Sequence, residues 1–395
     1  MKVLVVGNVH IYKTLDGKYY TPSVYGYDFF KRYLNVFEEV RLAAKTKHVD
    51  NIDVSKHLLV SGPNLEIFEL PWYQGFRDMI KNIFKLIPRY MQAWKGCDCY
   101  IFRVAQIESY FAYIFAKKKP FAVEVVNACA SFDGINIILK ELNLNIFKHI
   151  IKKANGVSYV TNKYLQNLYP SKVAKFGESA ICFESNYSSI DIAENDIKTV
   201  RKHTNKQLEN IRIVHTANAI CGETKGHRTI IEAIKYIKEK GYIANVCFIG
   251  DGPSLSYFKD YVKTMNLSEQ ISFIGRLNSK KAVFDELQKH DLFVFPSYSE
   301  GLPRVIIEAQ AAGLPCICSN VGGIPELIDS KYLFDPLDVE GFANTIIRLI
   351  NNPSEMEEMS KANIENAKKY TKEIMTEKRN EFYGKLRKLV ENKNK

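Results

Sequence analysis

Two doubly wound α/β domains, each alternating parallel strands with helices, are predicted for this chain on three grounds. Its 395 residues exceed the usual size of one domain and are enough to give two domains a full core each. Short apolar runs alternate with helical patterns on both sides of a polar, charged segment at 195–210, which reads as a linker. Residues 292–329, LFVFPSYSEGLPRVIIEAQAAGLPCICSNVGGIPELID, spell out a complete strand–loop–helix–strand unit. The expected boundaries are an N-terminal domain at 1–194, the linker at 195–210, a second domain at 211–370 and a last helix at 371–395 that crosses back to the first domain.

In chain order, the unbroken apolar run at 2–7 predicts a strand buried on both faces. Residues 8–25 read as a long loop, in the position where α/β domains keep ligand contacts. A helix over 29–35 and a strand over 39–44 follow. Residues 76–95 are helical in pattern, with Ile80, Ile83, Phe84, Ile87, Met91 and Trp94 as the apolar positions and Pro88 placed to kink them. Arg77, Lys81, Lys85 and Arg89 recur every fourth residue. Like charges at that spacing repel by a few tenths of a kcal/mol, so the stripe does not serve helix stability. It is either the solvated face of a packed helix or a contact for an anionic membrane surface. A strand at 98–104 carries Arg103, the run Lys117–Lys119 follows a helix, and a strand at 121–126 leads to Asn127, a turn residue or a site residue. Residues 157–161 and the helix up to Pro170 complete the first domain.

The second half starts with a strand at 211–216, a loop ending in Lys225-Gly226, and a helix over 229–240. The Gly250-Asp251-Gly252-Pro253 stretch after the next strand lacks the third glycine of a dinucleotide fingerprint and reads as a turn. A strand at 271–274 ends in Gly275-Arg276. Then comes the apolar strand 292–295 and a loop to Glu300-Gly301-Leu302. Pro303 is expected at the first helical position, where no N–H is needed, and the helix stops at Gly313, with Pro315 barring continuation. Cys316–Ser319 forms the next strand, and Gly322-Gly323 opens a short helix.

Glu300 and Glu308 bracket that helix start, with unpaired N–H groups near Leu302, Arg304 and Val305 between them. A helix start binds phosphate without any cationic side chain. At ~1.5 Å per helical residue the two acids lie about 10 Å apart. A sugar diphosphate fits this layout, its diphosphate on the helix start, one acid on the hexose and the other on the ribose diol.

The string Glu300-Gly301-x-Pro303, Glu308-Ala309, Ala312-Gly313-x-Pro315 and Gly322-Gly323-x-Pro325-Glu326 resembles the signature of retaining glycosyltransferases of the GT-B architecture, family four (glycosyl transferases group 1). The resemblance is strong over 211–350 and weaker over 1–190. It implies two Rossmann-like domains facing across a cleft, the first for the acceptor and the second for a nucleotide diphosphate sugar. It also implies hexosyl transfer with retained configuration, UDP favoured over GDP as the nucleotide, and a saccharide or lipid-linked saccharide acceptor in surface polysaccharide assembly. Carried over residue by residue, it makes Glu300 and Lys225 catalytic, and Glu308, Lys225, Gly301, Leu302, Arg304, Val305, Gly275 and Arg276 donor-binding. Tyr25, Gly26, Arg103 and Asn127 fall on the acceptor side. The chain departs from the family in three places. The arginine that precedes lysine–glycine is missing, with Asn218 or a neighbour in its place. The glycine pair after the first strand is replaced by Asp16-Gly17 and Tyr25-Gly26, and a histidine near Asn127 is absent. Lys225 is therefore the main side-chain cation expected on the leaving group.

Composition narrows the partners. No apolar run approaches the ~18–20 residues of a membrane span, and the N-terminus shows no signal peptide, so the expectation is a cytoplasmic protein, peripheral to a membrane at most through Arg77, Lys81, Lys85 and Arg89. The net charge of +11 suits phosphorylated substrates or an anionic surface; with no nucleic-acid-binding motif, no nucleic-acid partner is expected. The eight cysteines lack zinc or redox spacing, the histidines form no H-x3-H cluster and no D-x-D occurs, so neither metal nor cofactor is expected. The rival readings are an epimerase or a phosphorylase on the same architecture, and a non-catalytic partner subunit that keeps the fold. A dinucleotide oxidoreductase is disfavoured, since no G-x-G-x-x-G follows a strand.

Overall fold

The apolar runs of the first half become one nine-stranded sheet in a computed structural model that describes residues 1–103, 107–116, 118–128, 137–217 and 219–393. Its strands are β1 (Lys2–Lys13), β2 (Tyr19–Thr21), β3 (Glu39–His48), β4 (Leu58–Leu59), β5 (Leu65–Leu70), β6 (Cys99–Arg103), β7 (Phe121–Val125), β8 (Gly156–Tyr159) and β9 (Phe183–Asn186). The parallel part runs β5-β3-β1-β6-β7-β8-β9. Every residue of β6, β7 and β8 is buried, which is why these segments read as continuous apolar runs.

β1 extends beyond the run that predicts it. Past an irregularity between Val6 and His10 it resumes pairing with β3 as far as Lys13, because Val9 and Ile11 continue its buried face. A turn over Thr14–Lys18 then returns the chain as the antiparallel strand β2. Much of the expected loop at 8–25 is therefore sheet.

Residues 76–95 also differ from expectation. They form two helices, Gly75–Lys81 and Ile83–Ala93, broken at Asn82, whose carboxamide donates to the Asp78 carbonyl. The face turned to the core is Met79, Leu86, Tyr90 and Ala93, whereas Ile80, Phe84 and Met91 are 49%, 87% and 46% exposed. Two apolar stripes coexist at helical spacing here, and the aromatic ring of Tyr90 with the small Ala93 makes the second one fit the sheet.

The second sheet is wholly parallel: β10 (Asn210–Thr216), β11 (Ile243–Ile249), β12 (Ile271–Gly275), β13 (Leu292–Phe295), β14 (Cys316–Ser319) and β15 (Leu333–Phe334), in the order β12-β11-β10-β13-β14-β15. This is the doubly wound order, and it reverses between β10 and β13. Ligands of such sheets bind outside the carboxyl ends of the strands at that reversal.

The chain divides into two units, 1–187 with 376–395, and 188–375. The last helix, Lys372–Lys393, thus belongs for most of its length to the first unit. Residues 195–210 lie in the second unit and are pinned to it. The Arg201 guanidinium donates to the carbonyls of Leu287 (3.2 Å) and Ala312 (3.1 Å), at the ends of two helices. Its backbone N–H donates to Ser360 Oγ at 2.9 Å. Among the described residues no helix is long and apolar enough to cross a membrane. Six of the described cysteines are buried free thiols and Cys221 is exposed; Cys129 lies outside the described residues.

Candidate active site

The reversal point of the second sheet brings two loops together, one after β10 and one after β13. Gly226, at φ +72°, starts the helix His227–Glu239, and a Cβ there would lie 2.1 Å from the Pro296 carbonyl oxygen. Only glycine lets the first loop rest on the second. Thr224 completes the seam, its carbonyl accepting from Tyr298 N at 3.0 Å and Ser297 Oγ at 3.2 Å. The result is a cation–carboxylate pair: Lys225 Nζ lies 2.5 Å from Glu300 Oε1, and Ser297 Oγ donates to the same oxygen at 2.7 Å.

The other end of the motif supports Glu300 from behind. Gly322, at φ +59°, passes so close that a Cβ would sit 2.0 Å from the Glu300 carbonyl oxygen, and Gly323 N donates to the Gly301 carbonyl at 2.8 Å. Gly322 must be glycine because it buttresses the acid.

Pro303 occupies the N-cap of the helix Arg304–Ala311, one place before the position predicted for it. Its side chain cannot cap, and no other side chain does. The first N–H groups, of Arg304 and Val305, are thus left for a ligand. They open on a cavity of about 500 Å³ lined also by Lys225, Glu300, Leu302 and Glu308. Glu308 is half-buried, and burial pushes its carboxyl above the usual carboxylate range against the pull of Arg304 and Lys280.

The cavity thus gathers Glu300, Lys225, Leu302, Arg304, Val305 and Glu308, with Gly301 directly beneath. Gly275 and Arg276 sit at the carboxyl end of β12, outside this lining, and Asn218 lies outside the described residues. In the first unit, Tyr25 packs edge-on against Phe29, with ring centroids 4.8 Å apart, and Arg103 lies over the same ring at 4.9 Å from its centroid. Gly26 caps the helix Tyr27–Leu34 and packs on Leu58, and Asn127 is exposed just after β7. Arg103 itself is buried and ion-paired with Glu124.

Two lining residues carry no sequence signal. Lys280 opens the helix Lys280–Leu287 and donates to Asp196 Oδ2 at 2.8 Å and to the Asp191 carbonyl at 3.1 Å; Asp191 lines the cavity beside it. A lysine after a serine N-cap is indistinguishable from a solvated one until the chain folds. Elsewhere in the unit, Cys247, Glu286 and His290 place a thiol, a carboxylate and an imidazole within 4.8 Å of one another. None of the three lines the cavity, and Glu286 is paired with Lys289 at 2.7 Å.

Beneath the Lys225 loop, His215 and His227 pack edge to face, with ring centroids 4.7 Å apart and both rings fully buried. Burial first, and the nearby Lys225 charge second, pull His227 from its ordinary 6.5 to about 4. The folded protein therefore keeps this ring neutral down to about pH 4, while the unfolded chain takes up a proton near pH 6.5. Stability should fall as pH drops through that window, by about 2 kcal/mol at pH 5 for this one group. His227→Phe, which suits the flanking Phe248 and Phe258 rings, should flatten the dependence measured by denaturant midpoints between pH 7 and pH 5. Identical slopes in the two proteins would sink the assignment.

Comparison with known proteins bears on this geometry. Residues 196–370 match the family described as glycosyl transferases group 1. The second unit carries a group 1 glycosyl transferase domain. Over its whole length the chain is 28% identical to Protein CapJ of Staphylococcus aureus, an alignment covering 99% of this chain and 97% of CapJ. Over 127 residues it is 35% identical to the UDP-Gal:alpha-D-GlcNAc-diphosphoundecaprenol alpha-1,3-galactosyltransferase of Escherichia coli, which spans 31% of this chain and 32% of that one. Among solved structures it is similar to Anabaena Alr3699/HepE in complex with UDP-glucose, with a TM-score of 0.66, 15% identity and coverage of 97% and 99% of the two chains. The likeness extends over both units, and the fold is the GT-B fold.

Proposed function

We propose that the chain is a retaining hexosyltransferase that takes its sugar from a UDP-sugar and delivers it to a saccharide or lipid-linked saccharide. The observation that carries this is the single cavity in which the Lys225–Glu300 pair, an uncapped helix start and a second acid meet. The diphosphate sits on the N–H groups of Arg304 and Val305, Glu308 takes the ribose diol, and Glu300 holds the hexose. As the bond between the anomeric carbon and the phosphate oxygen breaks, the electron pair stays on the phosphate. Lys225 and the helix start stabilise that charge, as preorganised donors do where charge develops. Glu300 supports the positive charge that grows on the sugar. The acceptor oxygen bonds to the anomeric carbon on the same face, and its proton passes to the departing phosphate. The cation and the helix start answer the diphosphate charge, so this reading assigns no role to a metal or cofactor.

UDP is favoured because HepE is described with UDP-glucose and the Escherichia coli relative is named for UDP-Gal. The diphosphoundecaprenol in that name supports a lipid-linked acceptor, and surface polysaccharide assembly as the setting, at the cytoplasmic face of a membrane.

A thermal-shift panel of UDP, GDP and ADP tests the donor site. The cognate nucleotide at a hundredfold its dissociation constant should add about 2.7 kcal/mol of stability. Glu308→Gln should weaken that nucleotide by about 1.5–3 kcal/mol through loss of a charge-assisted bond, whereas Glu300→Gln should leave it bound and depress turnover. The opposite pattern would exchange the roles of the two acids, and no shift with any nucleotide would overturn the proposal.

A further inference from the structure

The helix pair Gly75–Lys81 and Ile83–Ala93 turns a face to solvent that its own fold does not explain. Ile80, Phe84 and Met91 project there, with Phe84 87% exposed. Arg77, Lys81 and Lys85 recur at four-residue spacing and are exposed, as is Lys95 just beyond the helix end, and none of them has an acidic partner among the described residues. Arg89, the fourth member of the sequence pattern, is occupied elsewhere: its guanidinium donates to the Glu69 carbonyl at 2.7 and 3.0 Å and lies 4.3 Å from the Phe68 ring centroid. The acid of the segment, Asp78, is only half-exposed, and its carboxylate accepts from the Gln74 N–H at the helix start. Lys117 and the side chain of Phe76 lie outside what the structure describes.

We propose that this face docks the protein on an anionic lipid bilayer, Phe84, Ile80 and Met91 entering the headgroup boundary and the four cations meeting lipid phosphates. Two features that oppose each other in water agree at such a surface. A phenyl ring held in water is unfavourable, and like charges one turn apart repel. Anionic headgroups neutralise the charges, and the acyl boundary takes the ring, the arrangement of helices that lie in a membrane plane. Nucleic acid would also attract the cations, but it gives no environment to Ile80 and Met91, and one ring is not a stacking platform. Charge complementarity together with aliphatic exposure therefore favours lipid. The proposal does not rest on the transferase reading.

The test is co-sedimentation of the full chain with vesicles of phosphatidylcholine alone and with vesicles that also contain phosphatidylglycerol. Each cation should change partition about fivefold. A variant with Arg77, Lys81, Lys85 and Lys95 all changed to glutamine should thus lose binding by roughly several hundredfold, and added salt should weaken the wild type. Phe84→Ser should lose about tenfold more than charge accounts for. All five positions are exposed, so melting curves should show the variants folded. Equal sedimentation of wild type and quadruple variant would overturn the proposal. So would binding to a polyanion such as heparin that is as tight as binding to vesicles and indifferent to Phe84→Ser, because the stripe would then be a plain polyanion site. No donor or turnover is needed for this readout, so its failure leaves the proposed reaction untouched.

Discussion

Lys225→Ala should lower turnover at saturating donor by about a hundredfold or more, while nucleotide affinity falls far less. A preorganised donor aimed at charge that develops in the transition state is worth ~3 kcal/mol, and each 1.36 kcal/mol is about tenfold in rate. The geometry explains why no neighbour substitutes. Three cations line the cavity: Lys225, Lys280 and Arg304. Lys280 is held by Asp196 and the Asp191 carbonyl. Arg304 belongs to the helix start itself, whose N–H groups the proposed function assigns to the diphosphate. Lys225 is positioned by the seam of Gly226 on Pro296, and one carboxylate oxygen orients its ammonium, leaving two further N–H donors to reach a phosphate. Removing it also frees Glu300, which then keeps only the Ser297 hydroxyl on that oxygen. Lys225→Arg should not restore the rate, since a planar guanidinium demands space and a fork geometry that a point charge does not. Steady-state kinetics with donor and acceptor varied separately check this. A wild-type kcat in Lys225→Ala would remove the residue from the chemistry.

The second unit was the more legible from sequence, and the physical reason is visible in its residues. Strands buried on both faces appear as apolar runs; β13 is of this kind throughout, and the last four residues of β10 and of β11 are likewise buried. Gly226 and Gly322 mark close backbone approaches that any side chain would block, and both belong to recognisable motifs. The contact of Lys225 with Glu300 follows from those approaches, although 75 residues separate the two. Pro303 was misplaced by one residue because both the N-cap and the first helical position tolerate a missing N–H. Other features depend on tertiary structure. Lys280 and Asp191 meet across 89 residues with no motif to pair them. The exposure of Phe84 depends on which of two apolar stripes packs on the sheet. Arg103, assigned to the acceptor side from its place at a strand end, faces Glu124 in the register of β6 with β7, a pairing that requires the sheet to be known.

That pairing sets the largest stability effect expected in the molecule, at Glu124→Gln. Glu124 is 1% exposed, and its carboxylate binds Arg103 and accepts from the hydroxyls of Tyr33, Tyr187 and Tyr383, the last of these on the closing helix. Burial pushes this carboxyl up, but the Arg103 charge and the bonds from Tyr383 and Arg103 outweigh it and hold the group below its ordinary value. It is ionised in the folded protein and compensates a guanidinium that is itself 9% exposed. Neutralising one partner of a buried ion pair leaves the other charge without compensation, which costs about 3–5 kcal/mol. For a unit of this size that lowers the melting midpoint by on the order of 10 °C. The transition affected should be that of the first unit, so scanning calorimetry, which separates the two, is the suitable measurement. Tyr383→Phe removes one hydrogen bond and leaves the pair, and should cost only about 1 kcal/mol. The double variant Arg103→Met with Glu124→Gln should recover much of the loss, because the uncompensated charge is gone. An unchanged midpoint in Glu124→Gln, or a double variant less stable than the sum of the singles, would show that the cluster is not held by this charge pair.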